Sequence, residues 1–201
     1  MMKMTHRGCA RIGVRAVVAG ALLMSAVASA AAQNEGTTIR FKGGIGVIPV
    51  SAGVVDNGTA TGATTAAPVA SDVTRNIVRG VQPAGQIWVI DDLDAKVRAN
   101  GRITVEGKGL ILGGGNNAGR AAGQSVFATL ICQATPPFTE SSTNLAGVLL
   151  PTNGDFKIDD QLQPPPPAIC ASPMLLIRNA AVNPVTGNVW FAVGIFRPDN
   201  D

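Results

Sequence analysis

The chain has 201 residues, of which 46% are hydrophobic and 14% are charged, and its formal net charge is +3. Its charged fraction is well below the value of about 25% that is typical of soluble domains. Disordered chains are poor in apolar residues, so the high hydrophobic fraction excludes a disordered chain. The 24 glycines and 13 prolines are scattered through the apolar segments and exclude long helices.

The N-terminal segment has the pattern of a secretory signal peptide. Four basic residues between Lys3 and Arg15 precede an uncharged, alanine-rich run over residues 16–32. Two overlapping A-x-A sites end this run and predict cleavage after Ala30 or after Ala32. Because the run is short for a membrane span, we expect a mature chain without one, which is secreted, periplasmic or on the cell surface.

Removal of the signal segment changes the charge and the chemistry of the chain. Four of the 16 basic residues lie in it, which leaves 12 basic against 13 acidic residues and a net charge of −1. The mature chain therefore lacks the basic patch that nucleic-acid binding requires, and we exclude nucleic acid as a partner. The single histidine, His6, is also removed. Its loss excludes Ser–His and Cys–His catalysis and the usual catalytic zinc sites.

The chain divides into a signal segment (residues 1–32), an N-terminal part (residues 33–80) and a core (residues 81–201). Within the N-terminal part, residues 37–50 (TTIRFKGGIGVIPV) predict a strand pair or an extended arm. Residues 51–71 are nearly all small and predict a long flexible loop. Such an arm pairs with its own sheet or with the sheet of a neighbouring copy. We favour its own sheet, because the loop is long enough for the arm to fold back.

The core consists of short β-like runs that alternate with turn signals, and no segment carries the apolar stripe of a helix. The predicted strands are residues 86–91, 95–99, 102–106, 125–133, 146–150, 156–159, 174–179 and 188–196. Their spacing predicts an all-β fold, either an antiparallel β-sandwich, which resembles immunoglobulin-like domains in general architecture, or a barrel. The last run is apolar on both faces, which is typical of a central strand or of one covered by the arm. No helix follows the glycine-rich residues 113–123, which therefore predict a connection between strands and not a phosphate site.

Two cysteines remain in the mature chain, Cys132 and Cys170. An even number of cysteines in an exported chain predicts a disulfide bond between them. In its run Cys132 shares one strand face with Leu130 and Val126, so we expect the bond to face the core. The immunoglobulin arrangement of a tryptophan between two cysteines is absent, since Trp88 precedes both cysteines and the other tryptophan follows them.

One β-hairpin can be worked out in register. A three-residue loop over residues 99–101, with Gly101 in the left-handed region, pairs Val97 with Ile103 and places the apolar residues of both strands on one side. A two-residue Asn-Gly turn would instead mix lysine and arginine into that apolar face. The three-residue loop is therefore the predicted one.

The outward side of this hairpin carries three carboxylates. The register sets Asp94 opposite Glu106, and Asp92 opposite Lys108 if the pairing continues that far. Asp92, Asp94 and Glu106 are candidate ligands for calcium, which binds six to eight oxygens. With Lys96 and Lys108 as neighbours, the same residues are also typical of a solvated charged face, which we favour. No other cofactor is indicated.

Two function classes remain open. The favoured one is a non-enzymatic exported β-domain that binds a surface, a glycan or a protein partner, or that assembles with copies of itself. The alternative is a secreted carboxylate-dependent hydrolase such as a glycosidase, which needs two carboxylates about 5–9.5 Å apart. A close pair of partly buried carboxylates in a cleft would favour the hydrolase, and carboxylates on exposed faces would favour the binding module.

Overall fold

The computed structural model describes residues 38–48, 76–182, 184 and 187–198. They belong to one compact unit, Asn34–Asp201. The predicted signal segment (residues 1–32) and the predicted small-residue loop (residues 51–71) lie outside the described residues. In the described ranges no helical segment has the length and hydropathy that a bilayer span requires.

The described residues are all-β, as predicted, and form eleven strands. The strands are β1 (Ile39–Gly46), β2 (Trp88–Val89), β3 (Asp92–Val97), β4 (Arg102–Lys108), β5 (Ile111–Leu112), β6 (Ser125–Ile131), β7 (Glu140–Ser142), β8 (Val148–Leu149), β9 (Phe156–Gln161), β10 (Met174–Asn179) and β11 (Trp190–Arg197). Nine of them form one antiparallel sheet, and β2 and β5 form a separate two-stranded ribbon.

The large sheet is nearly closed into a barrel. Its strand order is β7-β6-β10-β11-β1-β3-β4-β9, with β8 paired to β6. The two ends of this order meet where Ser142 of β7 pairs with Gln163, just after β9. Their two backbone N–O distances are 2.9 and 2.8 Å. Of the two architectures that the sequence predicts, the sheet has the barrel arrangement.

The predicted N-terminal arm contains β1, which lies inside this sheet. β1 pairs with β11 on one side and with β3 on the other, with Phe41 opposite Phe196 and Ala95. It is a single strand with a bulge between Phe41 and Gly44, and not a strand pair. In this structure of one chain the arm pairs with its own sheet, and exchange between copies stays untested. β11 is paired on both sides, as its apolar sequence predicts.

Two facing glycines allow the barrel interior to hold large side chains. Gly44 of β1 and Gly194 of β11 lie directly opposite each other. A Cβ atom at Gly44 would be 3.2 Å from Cβ of Leu93, and one at Gly194 would be 3.2 Å from Cβ of Phe41. These distances are tighter than normal packing, so Phe41 and Leu93 fill the space that side chains at the two glycines would need.

Residues 76–84 form the next described segment after β1. They pair with Trp190 at the start of β11. Trp190 donates its backbone N–H to the Gln82 carbonyl at 3.0 Å and its indole N–H to the Asn76 carbonyl at 3.2 Å. Arg79 reaches the Ile131 carbonyl at the end of β6, at 2.8 Å. Trp190 of β11 and Ile131 of β6, which this segment contacts, are both buried.

The predicted disulfide bond is present. Cys132 directly follows β6, and Cys170 lies shortly before β10, which is the neighbour of β6 in the sheet. The Cα atoms of the two cysteines are 4.6 Å apart, and Cys132 is fully buried, as predicted. The bond therefore joins the long connection before β10 to the barrel wall.

Candidate functional site

The predicted hairpin register is confirmed. β3 and β4 pair Val97 with Ile103 and Asp94 with Glu106, and the pairing continues to Asp92 and Lys108. Gly101 has a φ of 82°, and its N–H donates to the Arg98 carbonyl at 2.8 Å. The left-handed glycine closes the three-residue loop, and this places the carboxylates on the outward side of the barrel.

Lysines from the flanking strands bind two of these carboxylates. Lys42, Asp94, Glu106 and Lys157 lie in one row across β1, β3, β4 and β9. The Lys42 Nζ is 3.0 Å from Asp94 Oδ2, and the Lys157 Nζ is 2.7 Å from Glu106 Oε1. The hydrogen bond to Lys157 lowers the pKa of Glu106, and the hydrogen bond to Asp94 raises the pKa of Lys42. The row therefore has two exposed carboxylates in the middle and a lysine at each end, and its two ion pairs leave it without net charge.

The ion pair gives Glu106 a testable titration. Its pKa is depressed, so the pair stabilises the fold above the ordinary carboxyl pKa, and this contribution is lost as the pH falls through the lowered value. We expect Lys157→Gln to raise the Glu106 pKa toward its ordinary value, as measured from side-chain carboxyl shifts by NMR. Lys108→Gln is the control, because Lys108 is only a minor cause of the shift. An unchanged Glu106 midpoint in Lys157→Gln would contradict the ion pair in solution.

The calcium hypothesis for Asp92, Asp94 and Glu106 stays a prediction, although the geometry favours the charged face. Among the described residues, no group of three or more carboxylate, cysteine or histidine side chains is placed to hold a metal ion. Calcium binding would have to displace Lys42 from Asp94 and Lys157 from Glu106.

We therefore expect millimolar calcium to leave the melting temperature of the mature protein unchanged. The reason is that the carboxylates already have cationic partners, so a cation that binds only weakly adds little stability to the folded state. Thermal unfolding with and without calcium measures this. A rise in melting temperature that Asp94→Asn abolishes would instead establish a calcium site on the hairpin.

A cleft of about 360 Å³ lies where β6 and β11 begin and β10 ends, beside the β2–β5 ribbon. We call it the amide cleft, because four carboxamide side chains line it. Its lining residues are Ala84, Gly85, Gln86, Trp88, Leu112, Asn117, Ala122, Gln124, Asn179, Val189 and Phe191. Its volume falls in the range of about 300–1,000 Å³ that is typical of small-ligand sites.

Two of the four carboxamides are held in place by hydrogen bonds. Asn179, the last residue of β10, donates its amide N–H to Gln124 Oε1 at 2.9 Å, and its own Oδ1 accepts from the Ala181 N–H at 3.0 Å. The Gln124 amide donates onward to the Ala122 carbonyl at 3.4 Å. This network fixes the orientation of both amides before any ligand arrives, which reduces the entropy lost on binding.

The other two carboxamides lie on loops and are exposed. Gln86 lies two residues before the ribbon strand β2, and Asn117 lies in the glycine-rich turn after β5. This turn is closed by hydrogen bonds from Gly119 N–H to the Leu112 carbonyl at 2.8 Å and from Leu112 N–H to the Arg120 carbonyl at 3.0 Å. In the described part of the chain, neither Gln86 nor Asn117 has a side-chain hydrogen bond. Both amides are therefore free to bind a ligand.

The floor of the cleft is aromatic. The rings of Trp88 and Phe191 stack with centroids 3.9 Å apart and planes 15° apart. β2 is fixed against the barrel because the Trp88 N–H donates to the Val47 carbonyl at 2.9 Å, and the Val47 N–H donates to the Phe191 carbonyl at 3.0 Å. Both rings are nearly buried. The floor is therefore held in place, and little of either ring is exposed.

The sequence did not indicate the amide cleft. Its amides come from four separate segments, and each stands at the end of a strand or in a turn, where asparagine and glutamine are ordinary residues. The only available signal was that Gln86 and Asn179 are end residues of predicted apolar strands and that Gln124 directly precedes another.

Comparisons with protein-family models, with curated proteins and with solved structures found no match to this chain.

Proposed function

We propose that this chain is an exported β-barrel module that binds a ligand without transforming it, and that the amide cleft is the binding site. The observation that carries this proposal is the lining of the cleft. Among the described residues, those that line it include four carboxamides and no ionisable side chain. Carboxamides donate and accept hydrogen bonds but do not titrate, so they hold a ligand without supplying a general acid or base.

The placement of the carboxylates supports binding over hydrolysis. A glycosidase needs its two carboxylates together in a cleft. Here Asp94, Glu106 and Asp159 lie on the outward side of the barrel, ion-paired with basic residues, and their side chains are between 44% and 62% exposed. Carboxylates on exposed faces favour a binding module over a hydrolase, which needs partly buried carboxylates in a cleft.

Two features support the exported location. The predicted signal peptide directs the chain out of the cytosol. The disulfide bond between Cys132 and Cys170 is of a kind that persists in oxidising compartments and is rare in the cytosol.

The proposal is tested with the mature chain, residues 33–201, mixed with the cell-envelope fraction of its source and recovered by sedimentation. We expect the wild-type chain to be retained and the Gln86→Ala/Asn117→Ala double variant to be retained less. Asn116→Ala is the matched control, because Asn116 lies in the same turn but does not line the cleft.

Two results would contradict the proposal. Equal retention of the wild-type chain and the double variant would show that the amide cleft is not the binding site. New reducing ends released from envelope polysaccharide by the purified chain would establish the carboxylate-dependent hydrolase instead.

A further inference from the structure

We infer that the amide cleft takes a neutral, hydroxyl-rich ligand, a saccharide without charged groups. This inference rests on the proposed function and adds the class of ligand. It follows from three properties of the cleft, namely the charge of its lining, the hydrogen-bonding state of its backbone, and the pairing of carboxamides with an apolar floor.

The lining excludes a charged group on the bound part of the ligand. The described residues around the cleft include no lysine, arginine, aspartate or glutamate. A charge that leaves water without a partner carries a large desolvation cost. A uronic acid or a phosphorylated group would lack a counter-charge here, so a neutral ligand fits the lining better.

Part of the backbone around the cleft is already hydrogen-bonded and is not available for a peptide strand. Leu112, Gln124 and Asn179 each have both their backbone N–H and their backbone C=O hydrogen-bonded within the chain. A peptide that adds to a sheet edge needs free backbone groups there. At these three residues a ligand can be recognised only through side chains, and this favours a ligand that binds the carboxamides through its own polar substituents.

Carboxamides and hydroxyls have matching hydrogen-bonding groups. Each carboxamide carries two donor hydrogens and an acceptor oxygen, and each hydroxyl both donates and accepts. The fixed pair Gln124 and Asn179 forms one wall, and the uncommitted Gln86 and Asn117 reach the cleft from separate loops. Neighbouring hydroxyls on a sugar ring can engage such amides on both sides.

The apolar part of the lining suits the remaining surface of a sugar ring. The apolar side chains in the lining are Trp88, Phe191, Leu112 and Val189, and because the first three are buried they offer a sugar ring only a small apolar surface. The C–H groups of a sugar ring can pack against this surface while its hydroxyls bond to the amides. Since Trp88 and Phe191 are only 4% and 2% exposed, most of the specificity comes from the amides.

The test uses an array that presents neutral oligosaccharides, uronic-acid-containing oligosaccharides and unmodified peptides, followed by calorimetric titration of the oligosaccharides that bind. We expect the mature chain to bind one or more neutral oligosaccharides and not their acidic counterparts. Gln86→Ala and Asn117→Ala should each weaken binding by about two- to tenfold, the value of one neutral hydrogen bond. Asn116→Ala should leave the affinity unchanged, and all three variants should keep the wild-type melting temperature.

The outcomes separate the ligand class from the proposed function. Binding of peptides that Asn117→Ala weakens, or envelope retention with no neutral oligosaccharide bound, would overturn the saccharide and leave the binding module standing. Neutral oligosaccharide binding that both cleft variants leave unchanged would overturn the inference, because the ligand would bind elsewhere. A wild-type chain that binds nothing on the array and is not retained by the envelope fraction would overturn both the saccharide inference and the proposed binding function.

Discussion

Replacing Phe41 with alanine should lower the free energy of unfolding by about 3–5 kcal/mol. Phe41 is fully buried and lies in β1, between β3 and β11 in the middle of the sheet. Truncation leaves a cavity in the barrel interior. The facing glycines Gly44 and Gly194 have no side chains that could refill it. Because small domains have a net stability of only about 5–15 kcal/mol, this one change removes a large part of the total.

Chemical denaturation of the mature protein measures the effect. Ile45→Ala on the same strand is the matched control, because Ile45 is 61% exposed, and we expect it to cost less than about 1 kcal/mol. A Phe41→Ala variant as stable as the wild type would show that β1 is not an integral strand of the barrel. A loss of oligomers with unchanged monomer stability would instead show that the strand is exchanged between chains.

Loss of the Cys132–Cys170 bond should have a comparable effect. The bond closes a loop with a sequence separation of 38 residues, and the chain-entropy relation predicts that a loop of this size contributes about 4 kcal/mol. We expect the Cys132→Ala/Cys170→Ala double variant to unfold at a clearly lower denaturant concentration than the oxidised wild type.

The wild type unfolded in the presence of a thiol reductant is the control for this variant. Reduction removes the bond but keeps the buried Cys132 side chain, so the difference between the two measurements gives the packing contribution of that side chain. Denaturation midpoints that are unaffected by reduction or by the double substitution would contradict a structural role of the bond.

The β3–β4 hairpin could be predicted in register because its information is local. Asn100 and Gly101 mark the turn. Apolar and charged residues alternate on both sides of it, and only a three-residue loop keeps charged residues off the apolar face. β10 could also be predicted to its ends, since its apolar run stands between clear turn signals. The hairpin strands themselves are shifted or longer than predicted, since the runs predicted over residues 95–99 and 102–106 are observed as Asp92–Val97 and Arg102–Lys108.

Two strands were missing from the sequence prediction because they are too short to show a period. β5 has two residues and β7 has three, and each is defined by its pairing with another strand, β5 with β2 and β7 with the preceding strand β6. The lysine partners of Asp94 and Glu106 were missing for a related reason. Lys42 and Lys157 lie on β1 and β9, and only the strand order of the barrel makes these strands neighbours of the hairpin.

The pairing of β1 with β11 also constrains how the protein folds. These are the first and last strands of the described chain, yet they are direct neighbours in the sheet. During synthesis, at about 5–20 residues per second, β1 lacks one of its two partners until the final strand has been made. The barrel can therefore close only after β11 has been made, and its many long-range contacts place folding on the slow scale of about milliseconds to seconds. Until β11 has been made the barrel stays open, and an open chain is compatible with the proposed export.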